Sequence, residues 1–284
     1  MASTSRTRAA RRTARQPRQV SVRRRLGRAG RRILAALRAL PLALQVLVGV
    51  VGLLAAWAVV NGGYQVLRKP TELFFPVSGA LAKLPPETWR TYGPLFTAHA
   101  TAVITPELLA ALAQVESGGD PVARTAWRWR LSSHPLEWYR PASSAVGMYQ
   151  LTDGTFQEAK RYCVHDHVVV EDGPWHAVRA CWFTPLYTRV VPSHAIELTA
   201  AWLDRGVAQA LAGQRLAATR PQQQDLAAVI HLCGARAGAA YAARGFRLTA
   251  RQQCGDHDVR SYLAQVNLLK RQFARLAAAG KGKA

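Results

Sequence analysis

Residues 105–121 read TPELLAALAQVESGGDP. Thr105 is suited to cap a helix, Pro106 to occupy its first position and Glu107 to sit in its first turn. Leu109, Leu112, Ala113 and Glu116 then recur at i, i+3, i+4 and i+7, which puts all four on one face of a helix over 106–116. Gly118 and Gly119 stop it. An apolar stripe that ends in a carboxylate is unusual, because an ionised group is costly there. Burial and the negative end of the helix dipole both favour the neutral acid, so the expectation is a Glu116 carboxyl raised above its ordinary value. A carboxylic acid that keeps its proton near neutral pH is suited to general acid catalysis. The plain alternative is a Glu116 at the edge of the stripe that reaches water.

Outward from this helix the chain is predominantly helical. Further helices are expected over 153–162, 194–213, 222–232, 235–244 and 257–279. HVVVEDG at 167–173 is the clearest strand, part of a small β-hairpin. Between the first two helices lies VARTAWRWRLSSHPLEWYRPASSAV, a long aromatic and basic loop of the kind that carries function in a compact domain. The fold class that follows is mainly α with a small hairpin, preceded by one N-terminal transmembrane helix.

The chain has 284 residues and a net charge of +22, unevenly spread. Residues 1–69 hold 15 Lys/Arg and no acid, while the remainder holds 23 bases and 16 acids. From Ala39 to Leu67 no residue is charged, and LPLALQVLVGVVGLLAAWAVV, Leu40 to Val60, is about the length needed to cross a bilayer. The arginine-rich flank before it is expected to stay in the cytoplasm, which exports the C-terminal part. AWA at 56–58 fits a signal-peptidase site, but the length of the tail and of the apolar run favours an uncleaved anchor. The domain reading is a basic disordered tail over 1–38, a membrane anchor over 39–60, a Pro/Gly-rich linker with short helical pieces over 61–100, and a catalytic domain over 101–279. No aromatic interleaving or folded motif in the tail points to nucleic acid, so none is expected as a partner.

There are four cysteines, Cys163, Cys181, Cys233 and Cys254. An even number in an exported chain suggests two disulfides. Sequence neighbours pair most simply as Cys163–Cys181 and Cys233–Cys254, but three connectivities are open. CVHDH at 163–167, with His176 and Cys181 nearby, is the metal alternative, although its spacing is not a familiar zinc pattern.

A second stretch, SSAVGMYQLTDGTFQEAK at 143–160, completes a resemblance. ESGGDP at 116–121 followed by SSAVGMYQLTDGTF at 143–156 resembles the soluble-lytic-transglycosylase family of the lysozyme-like superfamily. The resemblance implies a lysozyme-like domain, with Glu116 as catalytic acid at a helix end beside Ser117. It implies a sugar cleft lined by Gly147, Met148, Tyr149 and Gln150. Gly147 would let the backbone approach a sugar ring, Met148 and Tyr149 would offer an apolar platform, and Gln150 a donor and an acceptor. IHLCGARAG at 230–238 stands where the family shows A-Y-N-A-G, with His231 at the Tyr position. Tyr262 in the closing helical segment matches an aromatic that faces the cleft.

The chemistry implied is cleavage of the MurNAc–GlcNAc bond of peptidoglycan without water. Glu116 would act first as acid and then as base, leaving a 1,6-anhydro end and using no metal or cofactor. Classical glycosidases use two carboxylates; Asp120, Glu137, Asp153 and Glu158 are the second candidates nearest in sequence. The implied setting is a bacterial inner membrane, with the N-terminus cytoplasmic and the catalytic domain periplasmic. Glycan strands and the membrane are the partners, and an envelope-spanning complex is a further one. The alternatives are a muramidase-type hydrolase and a non-catalytic glycan-binding or scaffold protein of the envelope.

Overall fold

The computed structural model describes residues 35–74, 76–173, 180–212 and 217–281. Most of the basic tail, 1–34, and His176 of the metal alternative lie outside the described residues. The chain divides into two units, Met1–Val60 and Asn61–Ala284.

The expected apolar helix is present. Helix α1, Leu42–Arg68, is long and apolar enough to cross a membrane, and its most apolar window buries nothing against the protein. It runs on past the expected end of the anchor at residue 60.

The second unit is mainly helical. Its elements in order are α2 (Pro85–His99), α3 (Pro106–Ser117), β1 (Trp127–Trp129), β2 (Tyr139–Pro141), α4 (Asp153–Ala159), β3 (Tyr162–His165), β4 (Val168–Glu171), α5 (Pro192–Leu211), α6 (Arg220–Cys233), α7 (Ala235–Ala243), β5 (Gln253–Cys254), β6 (His257–Asp258) and α8 (Val259–Lys281). Helix α3 is the central element. Leu108 to Ala113 are all fully buried, so the helix is enclosed rather than amphipathic along its middle. Its start follows the sequence signals: the Thr105 hydroxyl accepts from the Leu108 N–H and Pro106 opens the first turn. At its end Gly118 takes φ +64° and Gly119 +71°. This lets their N–H groups cap the Gln114 and Ala113 carbonyls, both at 3.0 Å. The stop therefore fixes the direction of the last turn, which carries Glu116.

The segment 61–100 departs from the linker expectation. Pro85 and Pro86 start α2 and do not break it, and Glu87 reaches back to the Leu84 N–H. The helix then buries Tyr92 and Phe96 in the main core, and Trp89 meets Phe273 of α8 at 5.8 Å between centroids. Thr88 donates to Gln114 of α3 at 2.8 Å. Prolines clustered at a helix start and prolines in a linker read alike, and only packing partners far along the chain tell them apart.

Among the described residues, three two-stranded antiparallel hairpins decorate the helices. In β3–β4, Tyr162 pairs with Glu171 and His165 with Val168. Asp166 and His167, at φ +51° and +65°, form the two-residue turn that suits a hairpin's twist. The helix expected to reach 162 ends at Ala159 because the chain turns there into β3. The β1–β2 hairpin lies inside the expected loop. The β5–β6 hairpin takes residues 257 and 258 from the start of the expected last helix. Two disulfides, Cys163–Cys181 and Cys233–Cys254, link sequence neighbours. The first uses both thiols that the metal alternative required.

Candidate functional site

Glu116 sits in the last turn of α3 and faces a cleft of about 510 Å3. Its side chain is 17% exposed. Two elements from the far end of the chain converge on one of its oxygens. Tyr262, in the first turn of α8, donates its hydroxyl to Oε1 at 2.7 Å. His231, in the last turn of α6, brings Nε2 to 3.4 Å from the same oxygen. Among the described residues no side chain or backbone donor reaches Oε2. Glu116 is thus gripped through one oxygen.

The electrostatics correct the expectation drawn from the helix. Burial is the largest single influence and does push the Glu116 carboxyl up. The hydrogen bond and charge of His231, the hydrogen bond of Tyr262 and the charge of His257 together outweigh it and hold the carboxyl below its ordinary value of 4.5. Conversely, burial pushes the Tyr262 phenol well up, and the neighbouring Glu116 charge adds to this. In the empty cleft the arrangement is therefore a carboxylate held by two donors.

A pH test follows with a definite sign. A carboxyl whose folded value is depressed adds stability above its unfolded value and loses it as pH falls through the folded value. The melting-temperature advantage of the wild type over Glu116→Gln is expected to shrink as pH falls through the acid range. His231→Phe removes two of the opposing influences and so moves the carboxyl upward, while Tyr262 and His257 still act against burial. The slope against Glu116→Gln should then be shallower, and equal slopes in both backgrounds would show that His231 does not control the carboxyl.

The GMYQ motif supports the site from behind more than it lines it. Residues 147–150 form a tight turn closed by the Val146 and Leu151 backbones, each donating to the other at 3.2 Å. Met148 and Tyr149 are both fully buried, so neither is the sugar platform that the resemblance implied. Tyr149 donates to the Leu109 carbonyl at 3.2 Å and presents its ring edge-on to His231, centroids 6.4 Å apart. It thereby fixes the imidazole. Gly147 is also corrected. At φ +84°, its open side faces the Arg189 carbonyl, not the cleft, so the close approach is between two backbones. Ser117 donates to the Met148 carbonyl at 2.9 Å and fastens the end of α3 to this turn. Gln150 does line the cleft, with its amide nitrogen committed to the Gly147 carbonyl at 2.9 Å and the Ala123 carbonyl at 3.2 Å.

The four carboxylates nearest in sequence do not reach the cleft lining. Asp120 is fully buried and accepts from the Gly79 and Val122 N–H groups. Glu137 pairs with Arg68 and Arg140, and Asp153 with Arg189. Glu158 lines a separate shallow pocket beside Trp202. Sequence reasoning instead missed the opposite wall, where Asp256, His257, Asp258 and Ser261 line the cleft. The Cys233–Cys254 bridge ties this hairpin to the end of α6, close to His231. The readable signal was Asp258, which caps α8 by accepting from the Ser261 N–H at 2.8 Å. No group of three or more potential metal ligands occurs among the described residues.

The family model of the Transglycosylase SLT domain matches residues 94–181. The match takes in Glu116 and the GMYQ turn and stops before His231 and Tyr262. No curated protein and no solved structure matches the chain. The match supports a lytic-transglycosylase-type function directed at peptidoglycan. The buried central helix and the carboxylate at its end both fall within residues 94–181, the stretch that matches the transglycosylase SLT domain and is similar to the lysozyme-like superfamily.

Proposed function

We propose that this protein is a membrane-anchored lytic transglycosylase that cleaves the MurNAc–GlcNAc bond and leaves 1,6-anhydroMurNAc ends. The observation that carries the reading is the asymmetric grip on Glu116 in the cleft lining: Oε1 is held by Tyr262 and His231, and Oε2 has no donor among the described residues. The carboxyl is kept in one orientation without its reactive oxygen being used up.

The depressed resting carboxyl has to gain a proton before it can act as an acid. A glycan entering the cleft displaces water and strengthens the burial effect, which is already the largest influence on Glu116. An anionic glycan adds a like charge that works in the same direction. Protonated on Oε2, Glu116 gives its proton to the glycosidic oxygen as the bond to C1 breaks. The resulting carboxylate lies beside the oxocarbenium-like centre and takes the proton from the C6 hydroxyl. That oxygen closes onto C1, and Glu116 returns to its protonated form with no water consumed. Tyr262 and His231 keep Oε1 hydrogen-bonded in both charge states.

The muramidase alternative gains one specific observation. Asp256 and Asp258 line the same cleft, and a second carboxylate is what a hydrolytic route would need. Asp258 is engaged as the cap of α8, which favours a role in holding its own helix.

Helix α1 and the charge asymmetry around it support a single-pass inner-membrane protein with a basic cytoplasmic tail over 1–38, the anchor over 39–60 and a periplasmic catalytic domain. The folded part of that domain begins well before residue 101, with α2 included. Association with an envelope-spanning complex is compatible with this placement. A reporter active only in the periplasm, fused after Ala284, is expected to be active. Activity from a cytoplasm-only reporter at the same position would reverse the topology and remove the substrate from reach.

A further inference from the structure

The β1–β2 hairpin is not used by the chemistry above, yet it is exposed, aromatic and basic. Trp129 is 67% exposed and Leu131 is 89% exposed. Arg128 and Arg130 alternate with them and are also exposed. Large apolar groups on a hairpin tip cost solubility unless something covers them.

The attachment of this tip says what covers it. Asn61 and Gln65, one turn apart, both donate to the Leu136 carbonyl, at 2.8 and 2.7 Å. Arg68, a further turn along, pairs with Glu137. Asn61 and Gln65 are nearly fully buried by these contacts. Asn61 is the residue that follows Val60, the last of the 21-residue apolar run. The tip is therefore fastened to the helical turns that directly follow the apolar run. The Trp138 indole donates to the Ser132 carbonyl at 2.8 Å, which holds Leu131 near the same end of the hairpin.

We propose that the tip of the β1–β2 hairpin lies in the headgroup region of the bilayer that holds the chain's own anchor, in contact with anionic phospholipid. The inference rests on the anchor reading above. Indole rings settle at such interfaces, leucine enters the acyl boundary, and arginines pair with lipid phosphates while their stems stay apolar. The consequence concerns substrate access. Lys69 donates to the Ser143 and Ala145 carbonyls, both at 3.2 Å, and those residues line the cleft. Eight helical residues separate Val60 from Lys69, so the short segment that fastens the hairpin also fastens the cleft wall. The enzyme would work on glycan close to the membrane and not throughout the wall.

The test uses the full chain reconstituted in vesicles of anionic phospholipid brominated near the headgroup end of the acyl chains. Tryptophan emission of the Trp57→Phe protein is expected to be quenched, and adding Trp129→Phe should return it to near the level in unbrominated vesicles. Trp129→Phe alone should stay quenched through Trp57, which reports the anchor. Loss of quenching in Trp57→Phe while Trp129→Phe remains quenched would overturn the hairpin proposal and leave the anchor intact. Absence of quenching in both would overturn the anchor reading as well. Persistent quenching in the double variant would overturn the assignment of Trp129 to the headgroup region. A Trp57→Phe emission that responds to purified glycan strands and not to brominated lipid would make the hairpin a sugar platform and end the lipid assignment.

Discussion

Glu116→Gln is expected to abolish most of the glycan-cleaving activity while leaving the fold and glycan binding in place. The amide keeps the shape of the carboxylic acid, and its oxygen can still accept from Tyr262. What it cannot do is give a proton to the glycosidic oxygen or take one from the C6 hydroxyl. A general acid or base is worth about 10²–10⁴-fold, and here one group serves in both steps, so the loss should be at least about 100-fold. The measurement is release of soluble muropeptides from purified peptidoglycan, with sedimentation of the protein on intact sacculi as the binding control. Retained activity would end the catalytic reading of Glu116. Loss of binding together with activity would suggest that the cleft has collapsed, and the melting temperature separates the two cases.

Gly147→Ala should be the most damaging single substitution for stability in the turn behind the site. Its φ of +84° lies where L side chains are rare. An added Cβ would also fall on the Arg189 carbonyl oxygen, a backbone atom that cannot rotate away. The backbone region alone costs roughly 1–3 kcal/mol. Moving the Arg189 segment adds to it, because that arginine also donates to the Ser144 and Leu151 carbonyls, both at 2.9 Å. A total above about 3 kcal/mol is expected. At about 2–4 °C per kcal/mol for a unit of this size, the melting temperature should fall by roughly 6–12 °C. A fall of a degree or two would mean that the turn relaxes and that Gly147 faces the cleft after all.

The central helix was legible because its signals are local. Thr105, Pro106, the leucines and the two glycines all lie within one short stretch, and each acts on its own neighbours. The same holds for α5 to α8, whose periodic runs were located to within a few residues. The disulfide pairing followed sequence proximity. The charge state of Glu116 was not legible, because it depends on a hydroxyl 146 residues further along and on an imidazole from another helix. Met148 and Tyr149 were misread for a related reason. A motif shows which residues matter near a site but not which side of the wall they occupy, and these two stabilise the wall from within. His231 replaces a tyrosine in the resemblance, and its place beside Glu116 became visible only when α6 and α3 were brought together. The β5–β6 wall was hidden because two-residue strands leave almost no periodic signal, and its position is set by a disulfide and a helix cap.

The claim that the carboxylate closes the sugar on itself without using water is tested most directly by running the reaction of the full-length protein on peptidoglycan in 18O-labelled water. The account predicts that the new ends are 1,6-anhydroMurNAc, one water lighter than the hydrolytic product, and carry no 18O. Ends with a free reducing group bearing one 18O would contradict it and turn attention to Asp256 and Asp258 as the second carboxylate.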